Sequence, residues 1–195
     1  IPTDRHFELF FANKFCEWVN SIIPNKFPTL KNDHPRLVIP FFDKNNQMFA
    51  FQGRSFNSEN PKYITIILNP EMDKIFGLNK IDKNKPMFAV EGPIDSLFLD
   101  NCIAVAGADF NKLPLDYTII FDNERRNKEL LKQIDKTIDR GYKVVLWPDN
   151  VKEKDINDMI LSGKTKQEIK STIEENTYQG NMAKIRLTTW RKINV

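Results

Sequence analysis

From about Pro86 onward, short apolar runs alternate with helical patterns, and this rhythm constrains the fold more than any other property of the chain. Met87-Phe88-Ala89-Val90, the run from Cys102 to Ala106, Tyr117-Thr118-Ile119-Ile120-Phe121 and the run from Tyr142 to Trp147 are rich in β-branched or aromatic residues. That is the composition of buried strands. Helical patterns over 94–100, 126–140 and 155–162 separate them. Strands alternating with helices predict a parallel sheet joined by right-handed crossovers.

Three acidic clusters punctuate this region: Glu91 to Asp95, Asp122 to Glu124 and Asp155 to Asp158. Each follows a strand-like run. Side chains just beyond the carboxyl ends of neighbouring parallel strands converge on one crevice, so clusters distant in sequence are expected to meet in space. Carboxylates forced together repel, and a hard divalent cation relieves that repulsion while leaving room for water and phosphate oxygens. The pattern therefore points to metal-assisted phosphoryl transfer. Asp and Asn also favour turns and helix N-caps, which explains any single cluster equally well. Three clusters after three strands are harder to explain that way.

Upstream the pattern is different. Phe7, Phe10, Phe11, Phe15, Trp18, Val19 and Ile22 recur at helical spacing and predict an amphipathic helix over 7–22, ended by Pro24 and Pro28. Residues 36–42 and 48–52 read as a hairpin turning at 43–46, and 63–68 as a third strand. Two further helices are expected over 165–178 and 181–192. The expected organisation is a mixed α+β subdomain over 1–85, a parallel α/β domain over 86–163 and a helical segment over 164–195.

The 195 residues suffice for a substantial core, and a formal net charge of +3 says little about partners. Cys16 and Cys102 are far apart, and with only His6 and His34 beside them they argue against a zinc site. No apolar stretch approaches the roughly 20 residues that span a bilayer, and no signal peptide is evident, so a soluble cytoplasmic protein without membrane contact is expected. An initial Ile suggests a processed or excised chain.

The run Val90-Glu91-Gly92-Pro93-Ile94-Asp95-Ser96-Leu97 resembles the first signature of the Toprim domain, Asp122-Asn123-Glu124 the second, and Lys154-Asp155-Ile156-Asn157-Asp158 the third in the form primases carry. Leu37-Val38-Ile39-Pro40, Phe51-Gln52-Gly53-Arg54 and Pro61-Lys62-Tyr63-Ile64-Thr65-Ile66 are similar to the segment preceding Toprim in bacterial and phage primases, which topoisomerases lack. Together with Gly180-Asn181-Met182-Ala183-Lys184, these strings look most like the T-even phage branch, over about residues 30–192.

The resemblance implies a Toprim fold and DNA-directed synthesis of short RNA primers from ribonucleoside triphosphates on single-stranded DNA. It assigns Mg²⁺ or Mn²⁺ binding to Glu91, Asp122 and Glu124, with Asp155 and Asp95 completing the acidic surface, and a general acid or base role to Glu91. Glu124 stands where the family usually has Asp, and Asn157 where many bacterial members have Asp. Arg54 and Lys62 match positions that contact nucleotide or template, and Tyr63 is available for base stacking. Arg125, Arg126, Lys154 and Asn157 are further candidates for contact with nucleotide or template. Gly92 and Pro93 suit a tight strand-to-helix turn whose helix N-terminus faces phosphates, and Gly53 would let a phosphate approach.

Such primases normally begin with a zinc-binding module that helps select the template. No such module is expected in this chain, which reads as the RNA polymerase portion that works beside a replicative helicase. The basic stretches 164–170 and 184–192 are expected on solvent-facing helix surfaces, or against DNA or that helicase. Two other readings stay open: a Toprim metal-dependent nuclease, and a DNA- or helicase-binding fragment inactive without the zinc module.

Overall fold

The protein is described from a computed structural model, which covers residues 2, 4, 5, 8–57, 59–107 and 109–192. Its chain forms two compact units, Ile1–Lys74 and Ile75–Val195.

The first unit is a four-stranded antiparallel sheet in the order β1-β2-β3-β4: β1 Phe10–Ala12, β2 Arg36–Phe42, β3 Met48–Ser55 and β4 Tyr63–Ile67. The hairpin between β2 and β3 turns on Asp43. Its Oδ1 accepts the N–H groups of Asn45 and Gln47, both at 2.8 Å, and Asn46 takes the left-handed conformation the turn requires.

Helix α1, Phe15–Ile22, supplies Phe15 and Val19 to a core completed by Val38, Phe51 and Ile66. Trp18 packs its ring 5.0 Å from Phe51. The helix has no side-chain cap of its own at Lys14. The distant Asp33 carboxylate accepts the Cys16 and Glu17 amides instead, at 2.7 and 2.9 Å.

The expected 7–22 helix is half right. Phe7 lies outside the described residues. Phe10, Phe11 and Ala12 form a strand paired with Val38, Leu37 and Arg36, because the open edge of β2 satisfies their backbone groups. Phe10 and Phe11 consequently stay exposed.

The second unit carries the five-stranded sheet β6-β5-β7-β8-β9: β5 Met87–Val90, β6 Cys102–Ala104, β7 Tyr117–Ile120, β8 Lys143–Val145 and β9 Thr177–Tyr178. The first four are mutually parallel. Ala89, Ile103, Ile119 and Val144 line its centre without exposure to solvent.

The helices are α2 Pro93–Ser96, α3 Lys128–Asp139, α4 Ile156–Leu161, α5 Lys166–Glu175 and α6 Gly180–Trp190. Three of these helices start on a side-chain cap. Asn127 caps α3 through the amides of Glu129 and Leu130, Asp155 caps α4, and Thr165 with Glu168 forms a reciprocal capping box on α5. The helix expected to run to 178 stops at Glu175, and β9 pairs antiparallel with the free edge of β8. Among the described residues no helix is long and apolar enough to cross a membrane.

Candidate active site

Strand order places β6 and β7 on opposite sides of β5, so the connection leaving β5 and the one leaving β7 diverge. A crevice at such a reversal is where open parallel sheets bind ligands. Glu91 is the first residue beyond β5, and Asp122 is two beyond the end of β7. The strands therefore bring together two acids that are 31 positions apart.

The electrostatics record how close the acids are. Burial pushes the Glu91 carboxyl up to about 7, and repulsion from Asp122, Glu124 and Asp95 adds to it. Burial likewise raises Asp95 to about 7, with Asp155 and Asp122 repelling it and the Asn157 amide partly offsetting both. Asp122 is also raised, chiefly by burial, against the pull of Lys154. Glu124 is lowered, first by its hydrogen bond from Asn127 and then by Lys154.

Lys154 is the cation among these acids. Its Nζ lies 2.9 Å from Glu124 Oε1 and 3.5 Å from Asp122 Oδ2. Its own pKa is raised, mainly by the Glu124 contact.

Two of the expected site residues also hold the frame. Asp95 Oδ1 accepts the Asn157 amide at 2.9 Å, tying α2 to α4. Asp155 Oδ1 accepts the Asp158 amide at 2.8 Å as the α4 cap. A Cβ at Gly92 would sit 2.5 Å from Asp95 Oδ2, so a larger residue there would displace that carboxylate; the Gly92 backbone is ordinary extended chain. The helix after it, α2, is only four residues long.

Asn123, the middle residue of the second signature, was not singled out from sequence, yet it stitches the site together. Its amide donates to the Lys154 carbonyl at 2.6 Å, and its Nδ2 donates to the carbonyls of Val151 and Glu153 at 3.0 and 3.1 Å. Arg125 turns inward: Nε donates to Asn123 Oδ1, Nη2 to the carbonyls of Trp147 and Pro148, and Nη1 pairs with Asp149. Its guanidinium also lies 5.4 Å from the Trp190 ring, which makes Trp190 part of the core. Arg126 is exposed and borders a cleft of about 660 Å³ together with Glu124, Lys152 and Lys192.

On the first unit, β3 and β4 place Arg54 opposite Tyr63. Arg54 Cζ and Lys62 Nζ stand 5.8 and 5.9 Å from the Tyr63 ring, so these three expected residues share one patch. Gly53 does something other than expected. The Phe15 ring fills the space over it, with carbons 2.4 Å from where a Cβ would be, so the face left open by the missing side chain is taken by the core.

The donor set suits a hard cation. Every acidic oxygen is a hard ligand, and the repulsion that adds to burial in raising Glu91 and Asp122 is what such an ion removes. Among the described residues no three His, Cys, Asp or Glu side chains already form a ready ligand set, and Lys154 is paired with two of the acids. Mg²⁺ is commonly held by only one or two carboxylates plus water and substrate phosphates, so this arrangement fits it better than a cation needing an all-protein cage.

No family model matches the chain. It is 39% identical over a 200-residue alignment to the DNA primase of Enterobacteria phage T4, covering 99% of the chain and 58% of that protein. It therefore spans a little over half the length of the curated relative it matches. Among solved structures, the Aquifex aeolicus primase with its zinc-binding and RNA polymerase domains superposes with a TM-score of 0.62 at 21% identity, over 89% of this chain and 52% of that one. The DnaG primase catalytic domain bound to single-stranded DNA gives a TM-score of 0.56 at 18% identity, over 72% and 51%. The fold is that of primase RNA polymerase cores, and the chain is related along nearly its whole length to a phage enzyme.

Proposed function

We infer that the chain belongs to the DNA primases of the bacterial and phage kind and forms a catalytic core that joins ribonucleotides on a single-stranded DNA template. One observation carries this reading: in a chain 39% identical to a phage primase, the carboxylates of Glu91, Asp122 and Glu124 gather beyond the ends of β5 and β7.

Glu91, Asp122 and Glu124 would hold Mg²⁺ or Mn²⁺, with Asp95 and Asp155 completing the acidic surface. A divalent ion there supplies activation of the attacking 3′-oxygen and stabilisation of the departing pyrophosphate. Glu91 is the half-buried carboxylate that takes up the hydroxyl proton. Asn157 and Asp95, joined by a hydrogen bond, keep helices α2 and α4 in register.

Arg126, Lys152 and Lys192 on the neighbouring cleft would receive the triphosphate, and Lys154 pairs with Glu124 on its wall. Arg54 and Lys62 would hold nucleotide or template phosphates while Tyr63 stacks a base. Arg125 contributes by positioning Asn123. A zinc-binding module and a replicative helicase are the expected partners, in the host cytoplasm.

Labelled ribonucleotide incorporation on single-stranded DNA with Mg²⁺ tests this. Glu91→Gln and Asp122→Asn should each lose activity by about 10²-fold or more with unchanged circular dichroism. Undiminished incorporation by both variants would overturn the assignment.

A further inference from the structure

Glu124 has no idle oxygen. Oε1 is 2.9 Å from Lys154 Nζ, and Oε2 accepts the Asn127 side-chain amide at 2.6 Å. Asp122 Oδ2 lies within 3.5 Å of the same ammonium. A cation that is to use these acids must compete with a charge the protein already provides.

The root of that charge is fixed. The Lys154 carbonyl accepts the Asn123 amide, and Asn123 Nδ2 ties down the carbonyls of Val151 and Glu153. The loop bearing Asp122 and Glu124 and the segment bearing Lys154 are therefore one piece. The far end is free to leave, since the Lys154 side chain is 52% exposed and an ammonium is readily rehydrated.

We propose that Lys154 is the built-in counter-ion of the acidic cluster, pairing with Asp122 and Glu124 until a divalent cation takes their oxygens, and that it thereby sets how tightly the cation binds. The inference rests on the reading of this cluster as the metal centre. The lysine lowers metal affinity in two ways: its ion pairs must be broken, and its charge then repels the bound ion. In exchange, the carboxylates of Asp122 and Glu124 keep their orientation, and their repulsion is partly offset before the ion arrives.

Mn²⁺ binding to the whole chain, followed by the electron paramagnetic resonance of free Mn²⁺, tests this without reference to turnover. Lys154→Met should bind Mn²⁺ about three- to tenfold more tightly, the size of two part-exposed ion pairs. Lys154→Arg, which keeps the charge, should stay within about twofold of the unsubstituted protein. In the unsubstituted chain, the ε-methylene signal of Lys154 should shift with the same concentration dependence as Mg²⁺ binding.

Unchanged or weaker binding by Lys154→Met would overturn the counter-ion role and leave the metal centre standing. So would a Lys154 signal that stays still while Mg²⁺ binds, a test that does not depend on how the Met variant folds. If neither the unsubstituted chain nor the Met variant binds Mn²⁺, the metal-centre reading falls as well.

Discussion

Truncating Arg125 to Ala should unfold the second unit more readily without weakening nucleotide binding. The guanidinium donates to the carbonyls of Trp147 and Pro148 at 2.6 and 2.7 Å, and its side chain is only 12% exposed. Hydrogen bonds from a charged donor contribute about 1.5–3 kcal/mol each. The lower end applies, because neither carbonyl is orphaned by the change. Trp147 O also accepts from Trp190 Nε1, and Pro148 O from the Val151 amide. Contact with the Trp190 ring adds about 0.5–1 kcal/mol. The pair with exposed Asp149 contributes little. The total is about 3.5–4 kcal/mol, and Arg125→Lys should recover little, since one ammonium cannot reproduce the planar fork.

Urea denaturation followed by tryptophan fluorescence reads this directly, because Trp147 and Trp190 flank the lost group. The Kd for nucleotide, measured at low urea where the variant is folded, should stay within about twofold. A loss below about 1 kcal/mol together with a large rise in Kd would refute the reasoning and return Arg125 to the ligand-contacting surface.

Glu91 and Asp95 are held near 7, above their ordinary values of 4.5 and 3.8, so the folded chain retains protons there that the unfolded chain releases. Stability without metal should therefore be highest at and below about pH 4 to 4.5 as far as these two groups are concerned, and fall as pH rises toward 7. The fall in Tm between pH 5 and 8 should be smaller in Glu91→Gln and smaller again with saturating Mg²⁺; a Tm that rises across this range equally in all three would contradict the shift. Gly53→Ala should cost about 1–3 kcal/mol in urea denaturation through collision with the Phe15 ring, and Phe15→Leu in the same chain should relieve part of it. If Gly53→Ala is neutral but weakens DNA binding, the phosphate role returns.

Much of the second unit was legible because its strands are buried and lie at the ends of a simple alternation. Buried parallel strands read as continuous apolar runs, and Glu91 and Asp122 follow such runs directly. The strand Phe10–Ala12 was not legible. Its aromatic spacing also suits a helix, and the decisive partner, residues 36–38, lies more than twenty positions away. β9 was missed for the same reason: Thr177 and Tyr178 pair with an edge that exists only after β8 is placed.

At the site, residue types suggested which side chains carry charge but not which way they point. Arg125 and Arg126 are adjacent and chemically identical and both border the cleft, yet Arg125 is tied to backbone carbonyls beside the Trp190 ring while Arg126 is exposed. Asn123 gave no signal at all, since the use of its amide and side chain depends on where the 151–154 segment passes.

The most direct test of the central claim is template-dependent incorporation. The chain would be incubated with Mg²⁺, single-stranded DNA of one base and each labelled ribonucleotide in turn, alone and with a zinc-binding module and helicase supplied. Short RNA should be made only from the ribonucleotide complementary to the template, and none by Glu91→Gln. Incorporation indifferent to the template, or cleavage of the DNA with no incorporation in any mixture, would contradict it.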